Sequence, residues 1–206
     1  MKMKKGFTLL ELLIVIGILA ILSTTMILVI NPAEMLRKAR DSQRIADLST
    51  VKSAIAYYIS SVSTPDIGSS TPAYSHVSSL SACTGRTGNL ASSSQAVDGT
   101  GWIPVNFATI TGGSPIGSLP IDPNPTINTP TSGKARYYVY AADTTDNTFE
   151  LLANMESIYY SQGGDGDVES KDGGAAGLIK IYEVGTKLNM ITASSTTCFK
   201  GASPFD

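Results

Sequence analysis

One carboxylate stands inside an apolar run. Residues 7–30 carry a single charge in 24 positions, and that charge is Glu11. A carboxylate in lipid is expensive, so it marks a functional site unless it sits close enough to the headgroups to be tolerated. Three other groups invite a chemical reading. The glycine-rich stretch 162–174 spaces Asp165, Asp167, Glu169 and Asp172 at near-alternate positions. Oxygen ligands so placed suit calcium, although the spacing and flanking helices of an EF-hand are absent. A solvent-facing acidic loop is the plainer reading, because Gly and Asp form turns readily. The two cysteines, Cys83 and Cys198, form no Cys-x-x-Cys motif, so metal or redox use is unsupported. The single His76 lies in a Ser/Thr-rich segment without a predictable partner, and a surface or packing role is expected of it. No serine has nucleophile-elbow context, and Gly85, Gly88, Gly99 and Gly101 form no phosphate cradle. The expectation is a non-enzymatic chain with no catalytic, cofactor-binding or metal-ligating residue.

The element that positions Glu11 is a helix. A run of 24 residues spans about 36 Å, enough for the hydrocarbon layer and longer than a signal-peptide core. Lys2, Lys4 and Lys5 in front of it fix the head of the run on the cytoplasmic side. Asn31-Pro32 interrupts the pattern. Pro32 either kinks a continuous helix or opens a second one at its first turn, with Asn31 as cap. Beyond it Leu48, Val51, Ile55, Tyr58, Ile59 and Val62 fall at steps of three and four, an apolar stripe for packing on a globular head. Arg44, Asp47, Ser49, Lys52, Ser53 and Ala56 are expected on the opposite, mostly wet face. Arg37, Lys38, Arg40 and Arg44 read as interfacial or intersubunit charges rather than a nucleic-acid contact. Val62-Ser63-Thr64-Pro65 ends the pattern, since a residue before proline leaves the helical region.

The remainder, about 140–175 residues, is enough for one domain. Residues 65–101 show little periodicity, and helix and loop are equally defensible there. In Leu119-Pro120-Ile121-Asp122-Pro123 the prolines fix backbone angles while Asp122 accepts nearby amides, which predicts a rigid turn. Residues 136–141 read as a strand, 143–147 as a turn, and 149–156 as a second, alternating strand, together an antiparallel hairpin. Its Glu and Asp residues read as solvent-facing. Residues 178–184 are a third strand candidate and 190–199 another.

Lys4-Lys5-Gly6-Phe7-Thr8-Leu9-Leu10-Glu11-Leu12 strongly resembles the processing site of the type IV pilin and pseudopilin superfamily. The resemblance implies an α+β pilin-like fold: a long N-terminal transmembrane and amphipathic helix packed on a small antiparallel β-sheet. Residues 1–6 would be a prepilin leader, 7–30 a transmembrane segment and filament core, 31–62 the amphipathic continuation, and 63–206 the head. A prepilin peptidase would cut between Gly6 and Phe7 and methylate the new Phe7 amine. Cleavage would remove three lysines and leave 12 basic against 17 acidic residues, net −5 from the −2 of the whole chain. Glu11 could then pair with the Phe7 amine of a neighbouring subunit and set axial register, since buried charges are costly unless paired.

The implied function is a structural subunit of a type IV pilus. The alternatives are a pseudopilin of the type II secretion piston, towards which the Leu-Pro-x-Asp-Pro element leans, or a minor pilin. Implied partners are copies of itself and other pilins in a helical filament, the assembly platform protein and ATPase, and the inner membrane. The destination would be a surface pilus or a periplasmic pseudopilus. An extracytoplasmic head permits a disulfide between Cys83 and Cys198; two free buried cysteines are the alternative. A rival of another class is an anchored binding module that does not polymerise, with residues 65–125 as a ligand surface.

Overall fold

The computed structural model describes residues 6–77, 86–124, 136–169, 181–188 and 190–191. Cys83, Cys198, Lys2, Lys4, Lys5 and Asp172 lie outside these residues, as do 170–180 and 192–199 with the strand candidates that fall on them. The chain divides into two compact units after Arg37.

Helix α1 runs Leu9–Ile30, and its segment Leu9–Met26 is long and apolar enough to cross a membrane. Among its described side chains the apolar ones find no partner within the unit: Leu9, Leu10, Ile16, Leu19 and Ile21 are all more than half exposed. Polar side chains along it return to its own backbone. The hydroxyls of Ser23 and Thr24 donate to the carbonyls of Leu19 and Ala20 at 2.7 and 2.9 Å, which removes donors that lipid could not satisfy. Asn31 adopts a left-handed conformation (φ 44°), which asparagine tolerates better than most residues. A second helix, α2, begins at Pro32 and runs to Ser61, so Pro32 takes the first helical position, where its missing N–H costs nothing.

The head is built on a five-stranded sheet in the order β2-β1-β3-β4-β5. The strands are β1 (Pro72–Ser75), β2 (Gly88–Ala91), β3 (Val139–Asp143), β4 (Thr148–Ala153) and β5 (Tyr182–Gly185). The expected hairpin is β3–β4, with Val139 opposite Leu152 and Asp143 opposite Thr148. Its turn uses Asn147 at φ 52°. Strand β5 adds antiparallel to β4. The sheet is not wholly antiparallel: β1 and β2, in the stretch expected to be helix or loop, pair in parallel, and β1 joins the hairpin by lying antiparallel to β3. Four-residue strands such as Pro72–Ser75 are too short to print an alternation on the sequence.

Alternation instead sorts the sheet's two faces. Tyr138, Tyr140, Ala142, Phe149, Leu151 and Ala153 face a core that contains Leu48, Val51, Ile55 and Tyr58 of α2. Tyr137, Val139, Ala141 and Leu152 face a second cluster with Ala73, Ile181 and Ile191. Both faces are covered, which corrects the expectation of wet acidic residues on the strands. Glu150 and Glu183 are buried, and Glu150 accepts the Ile191 amide at 3.0 Å. The first core is closed by an arm, residues 92–124, that contributes Trp102, Ile103, Val105, Phe107 and Leu119. Within the arm, the Leu119 and Trp102 amides donate to the Gln95 and Ser94 carbonyls at 2.8 and 3.0 Å. At Gly101 a Cβ would strike the Ala96 carbonyl oxygen and the Leu119 side chain, so only glycine permits this crossing.

Phe107 is fully buried and meets Tyr58 edge to face at 5.9 Å. Phe107→Ala is expected to destabilise the head by about 3–5 kcal/mol, read as a lower denaturation midpoint of the full chain in detergent.

Candidate processing and assembly site

Thr8 is the N-cap of α1, with extended backbone (φ −78°, ψ 151°). Its hydroxyl accepts the Glu11 amide at 3.3 Å, and Glu11 Oε2 accepts both the Thr8 amide (2.9 Å) and the Thr8 hydroxyl (2.8 Å). This reciprocal capping box satisfies donors that the first helical turn leaves orphaned. The same spacing that places a carboxylate inside the apolar run therefore gives it a local task. All three bonds use Oε2 or the Thr8 hydroxyl; among the described residues, Oε1 of Glu11 takes no hydrogen bond. Gly6, Phe7 and Thr8 lie outside the helix, and Phe7 is 85% exposed. The Gly6–Phe7 bond is thus in open, non-helical backbone. A Cβ on Gly6 would meet no atom of the chain, so internal packing does not require glycine there.

The head contains a polar constellation that the sequence reading misplaced. Arg44, expected on the wet face of α2, is fully buried. Its Nη1 bonds Asp41 at 2.7 Å, Nε and Nη2 clamp Asp122 at 2.8 and 2.7 Å, and Nη2 also reaches Glu156 at 2.5 Å. Arg40 holds Glu156 from a second side at 2.6 Å, and Arg136 lies 3.5 Å from it. Asp41 in turn accepts the backbone amides of Glu156 and Ser157. Arg40 and Arg44 are therefore intrachain partners, not the interfacial or intersubunit charges expected. Asp122 does accept a nearby amide, that of Asn124 at 2.8 Å, but its carboxylate also fixes the Leu119–Pro123 turn to α2. Burial pushes the Glu156 carboxyl up; hydrogen bonds from Arg40 and the Arg44 charge outweigh this and bring it down to about 2. For Arg44, burial opposes the charge, and the bonds and charges of Asp122 and Glu156 overcome it, so its guanidinium is held above its ordinary value.

The described part of the acidic loop is divided: Gln162, Gly163 and Asp165 are exposed, as expected of a solvent-facing loop, and its other two carboxylates turn inward. Asp167 and Glu169 are buried. Asp167 accepts the Gly163 amide at 2.9 Å, and Glu169 accepts those of Met155 and Gln162 at 3.3 and 2.9 Å. These carboxylates close the loop on itself, and no group of three ligand side chains able to hold a metal occurs among the described residues. Burial raises the Glu169 carboxyl to about 7 despite the two amides. His76 is buried, in keeping with a packing role, between Trp102 and Tyr138.

Arg44→Met would leave three buried carboxylates short of a counter-charge, and a loss of about 3–5 kcal/mol is expected in denaturation of the full chain. The pH dependence has two signed parts. Glu156 is held below the ordinary 4.5 of a glutamate, so its contribution is complete above pH 4.5 and is lost as pH falls towards about 2. Glu169 is held above that value, so the folded state retains a proton that the unfolded state releases. Its contribution is complete below pH 4.5 and is lost as pH rises to about 7. Melting temperature against pH checks both, and Arg40→Met is expected to shift the acid limb upward.

Residues 1–27 match the family described as the prokaryotic N-terminal methylation motif. No curated protein and no solved structure matches the chain. The match covers the basic head, the open Gly6–Phe7 bond, the Thr8–Glu11 cap and most of α1. The chain therefore carries the signature of type IV pilin and pseudopilin precursors.

Proposed function

We propose that this protein is a structural subunit of a type IV pilus or pilus-like filament, assembled after cleavage between Gly6 and Phe7. The observation that carries the reading is Glu11: one carboxylate oxygen is fixed by Thr8 and, among the described residues, the other takes no hydrogen bond, on an apolar helix whose described side chains are exposed. Cleavage creates an ammonium on Phe7. In lipid or in a filament core such a charge needs a counter-ion. Glu11 Oε1 of an adjacent subunit supplies one without dismantling the cap, and the apolar faces of neighbouring α1 helices bury one another as the pair forms. Head-to-tail repetition of that contact gives a helical polymer.

In this reading a prepilin peptidase removes the leader and methylates Phe7, and a platform protein with its ATPase extracts the subunit from the inner membrane. A pseudopilus of the type II secretion system is the second reading. The Leu119-Pro120-Ile121-Asp122-Pro123 element supports it, because it resembles the Leu-Pro-x-Asp-Pro signature of major pseudopilins. An anchored module that never polymerises uses Glu11 for the cap alone and gives no use to its second oxygen.

Two variants separate the roles of Glu11. Gln also serves in a capping box, so Glu11→Gln keeps the helix start and removes the charge. Thr8→Val removes the cap hydroxyl, at a cost of about 1 kcal/mol to the helix start, and keeps the charge. The expected outcome is normal cleavage at Gly6–Phe7 in both, with filament incorporation lost in Glu11→Gln and only reduced in Thr8→Val. Mass and N-terminal sequencing of sheared filaments and washed envelopes provide the measurement. Wild-type incorporation of Glu11→Gln would reject charge pairing, and an intact Met1 leader in both fractions would reject assembly altogether.

A further inference from the structure

His76 is the chain's only histidine and Trp102 its only tryptophan, and the two touch. Their rings meet edge to face with centroids 6.0 Å apart, and His76 meets Tyr138 in the same manner at 5.9 Å. His76 is 9% exposed, and among the described residues neither Nδ1 nor Nε2 has a hydrogen-bond partner. An imidazole normally places at least one nitrogen on a polar atom, and a buried polar group left without one is costly. The neutral ring loses one donor bond here. The protonated ring would bury a positive charge with two orphaned donors, which is far worse.

The surrounding charges do not supply a counter-ion by contact. Asp122 is the carboxylate that acts on His76, but both of its oxygens are clamped by Arg44. Behind Asp122 stand Asp41 and Glu156, which share the same guanidinium. On the Tyr138 side, Asp47 from α2 accepts the Tyr138 hydroxyl at 2.8 Å, and burial holds the Asp47 carboxyl above its usual range. Trp102 donates its Nε1–H to the Pro120 carbonyl at 3.0 Å, so it cannot turn towards His76 without freeing the end of the arm.

We infer that His76 is an acid-sensitive latch for the 92–124 arm: its neutral ring seats Trp102 and Tyr138, and its protonation unseats them. His76 directly follows β1, whereas Trp102 belongs to the arm that closes the core over Leu48, Val51 and Ile55 of α2. Displacing Trp102 disturbs its bonds to Ser94 and Pro120, and with them the seating of Ile103, Val105 and Leu119. Burial lowers the His76 imidazole below its ordinary 6.5, and the Asp122 charge opposes this without cancelling it. A loosened arm gives His76 to water and accepts the proton that the closed arm refuses. Closure is therefore fully stable above pH 6.5 and weakens as pH falls, by up to about tenfold per pH unit until the closed-state value is reached.

The single tryptophan makes the test direct. Trp102 emission of the full chain in detergent is titrated downward from neutral pH, alongside amide hydrogen exchange in the arm corrected for intrinsic rate. A one-proton change in emission below pH 6.5, with arm protection falling by up to about tenfold per pH unit, is expected. His76→Phe, which fits an aromatic pocket and cannot titrate, is expected to abolish both. Arm protection that stays constant as pH falls below 6.5, or the same transition in His76→Phe driven by Asp47 or Glu169, would overturn the latch. Should His76→Phe fold poorly, the proton resonances of the lone histidine in the unaltered chain decide the matter. A midpoint below 6.5 that coincides with the change in Trp102 emission supports the latch, and one at or above it, or one without that change, refutes it.

Discussion

A guanidinium removed from water must be met by charge and by hydrogen-bond acceptors, and Arg44 meets both in three separate segments. Asp41 comes from the same helix, Asp122 from the end of the arm, and Glu156 from the stretch after β4. Each of those segments would be a loop end or a helix face without this contact. With it, α2, the arm and the sheet share one fixed point. Replacing such a cluster by apolar side chains is often neutral or stabilising, so it is not an efficient source of stability. Its effect is on alternatives. A shifted arm or an α2 turned by one residue leaves at least one buried charge unpaired, at several kcal/mol, while a shifted apolar contact loses far less.

That fixed point was legible in the sequence, but only in part. Leu48, Val51, Ile55 and Tyr58 advance by three, four and three, and the hydrophobic stripe is plain. Continued towards the N-terminus, the same phase passes through Arg44 and Asp41, four and seven residues before Leu48. Reading side-chain polarity put Arg44 on the wet face; reading helical phase puts it with the core, and the structure follows phase. A pair of opposite charges three residues apart on an apolar stripe was the available signal. Its partners, 78 and 112 residues away, were not available, because nothing local in Asp122 or Glu156 names Arg44. The β3–β4 hairpin was readable because Tyr138 and Tyr140 against Phe149 and Leu151 alternate around a polar turn. The β1–β2 pair was not, since strands of four residues rely on their neighbours, and Arg86 shows how: its guanidinium donates to the Ser70 and Ala142 carbonyls across the sheet. The acidic residues of β4 and β5 read as wet because a second covering layer, Ile181 and Ile191 among it, was not foreseen.

The N-terminal unit was legible for the opposite reason. Its information is local: a basic head, a glycine, Thr8 three residues before Glu11, and an apolar run. Capping boxes, span length and processing motifs all act within a few turns, so one stretch of sequence contains the whole argument. The structure adds the division of labour within the Glu11 carboxylate, where Oε2 belongs to the cap and Oε1 takes no hydrogen bond among the described residues.

Glu11 and Glu156 then illustrate one rule with two outcomes. Glu156 is a carboxylate whose oxygens are both engaged, by Arg40, Arg44 and Arg136, so its charge is spent within the fold and it orients only its own chain. Glu11 is half engaged. In water the free oxygen is solvated at no cost and the chain is complete as a monomer; in lipid or a filament core the same oxygen is a standing demand for a cation. A subunit with every polar group satisfied has no electrostatic reason to prefer one axial position over another, because apolar helix surfaces slide past each other with small changes in buried area. Under the proposed assembly, one oxygen at a fixed height on α1 that takes no hydrogen bond among the described residues, held in place by Thr8, would convert that sliding surface into one with a preferred step.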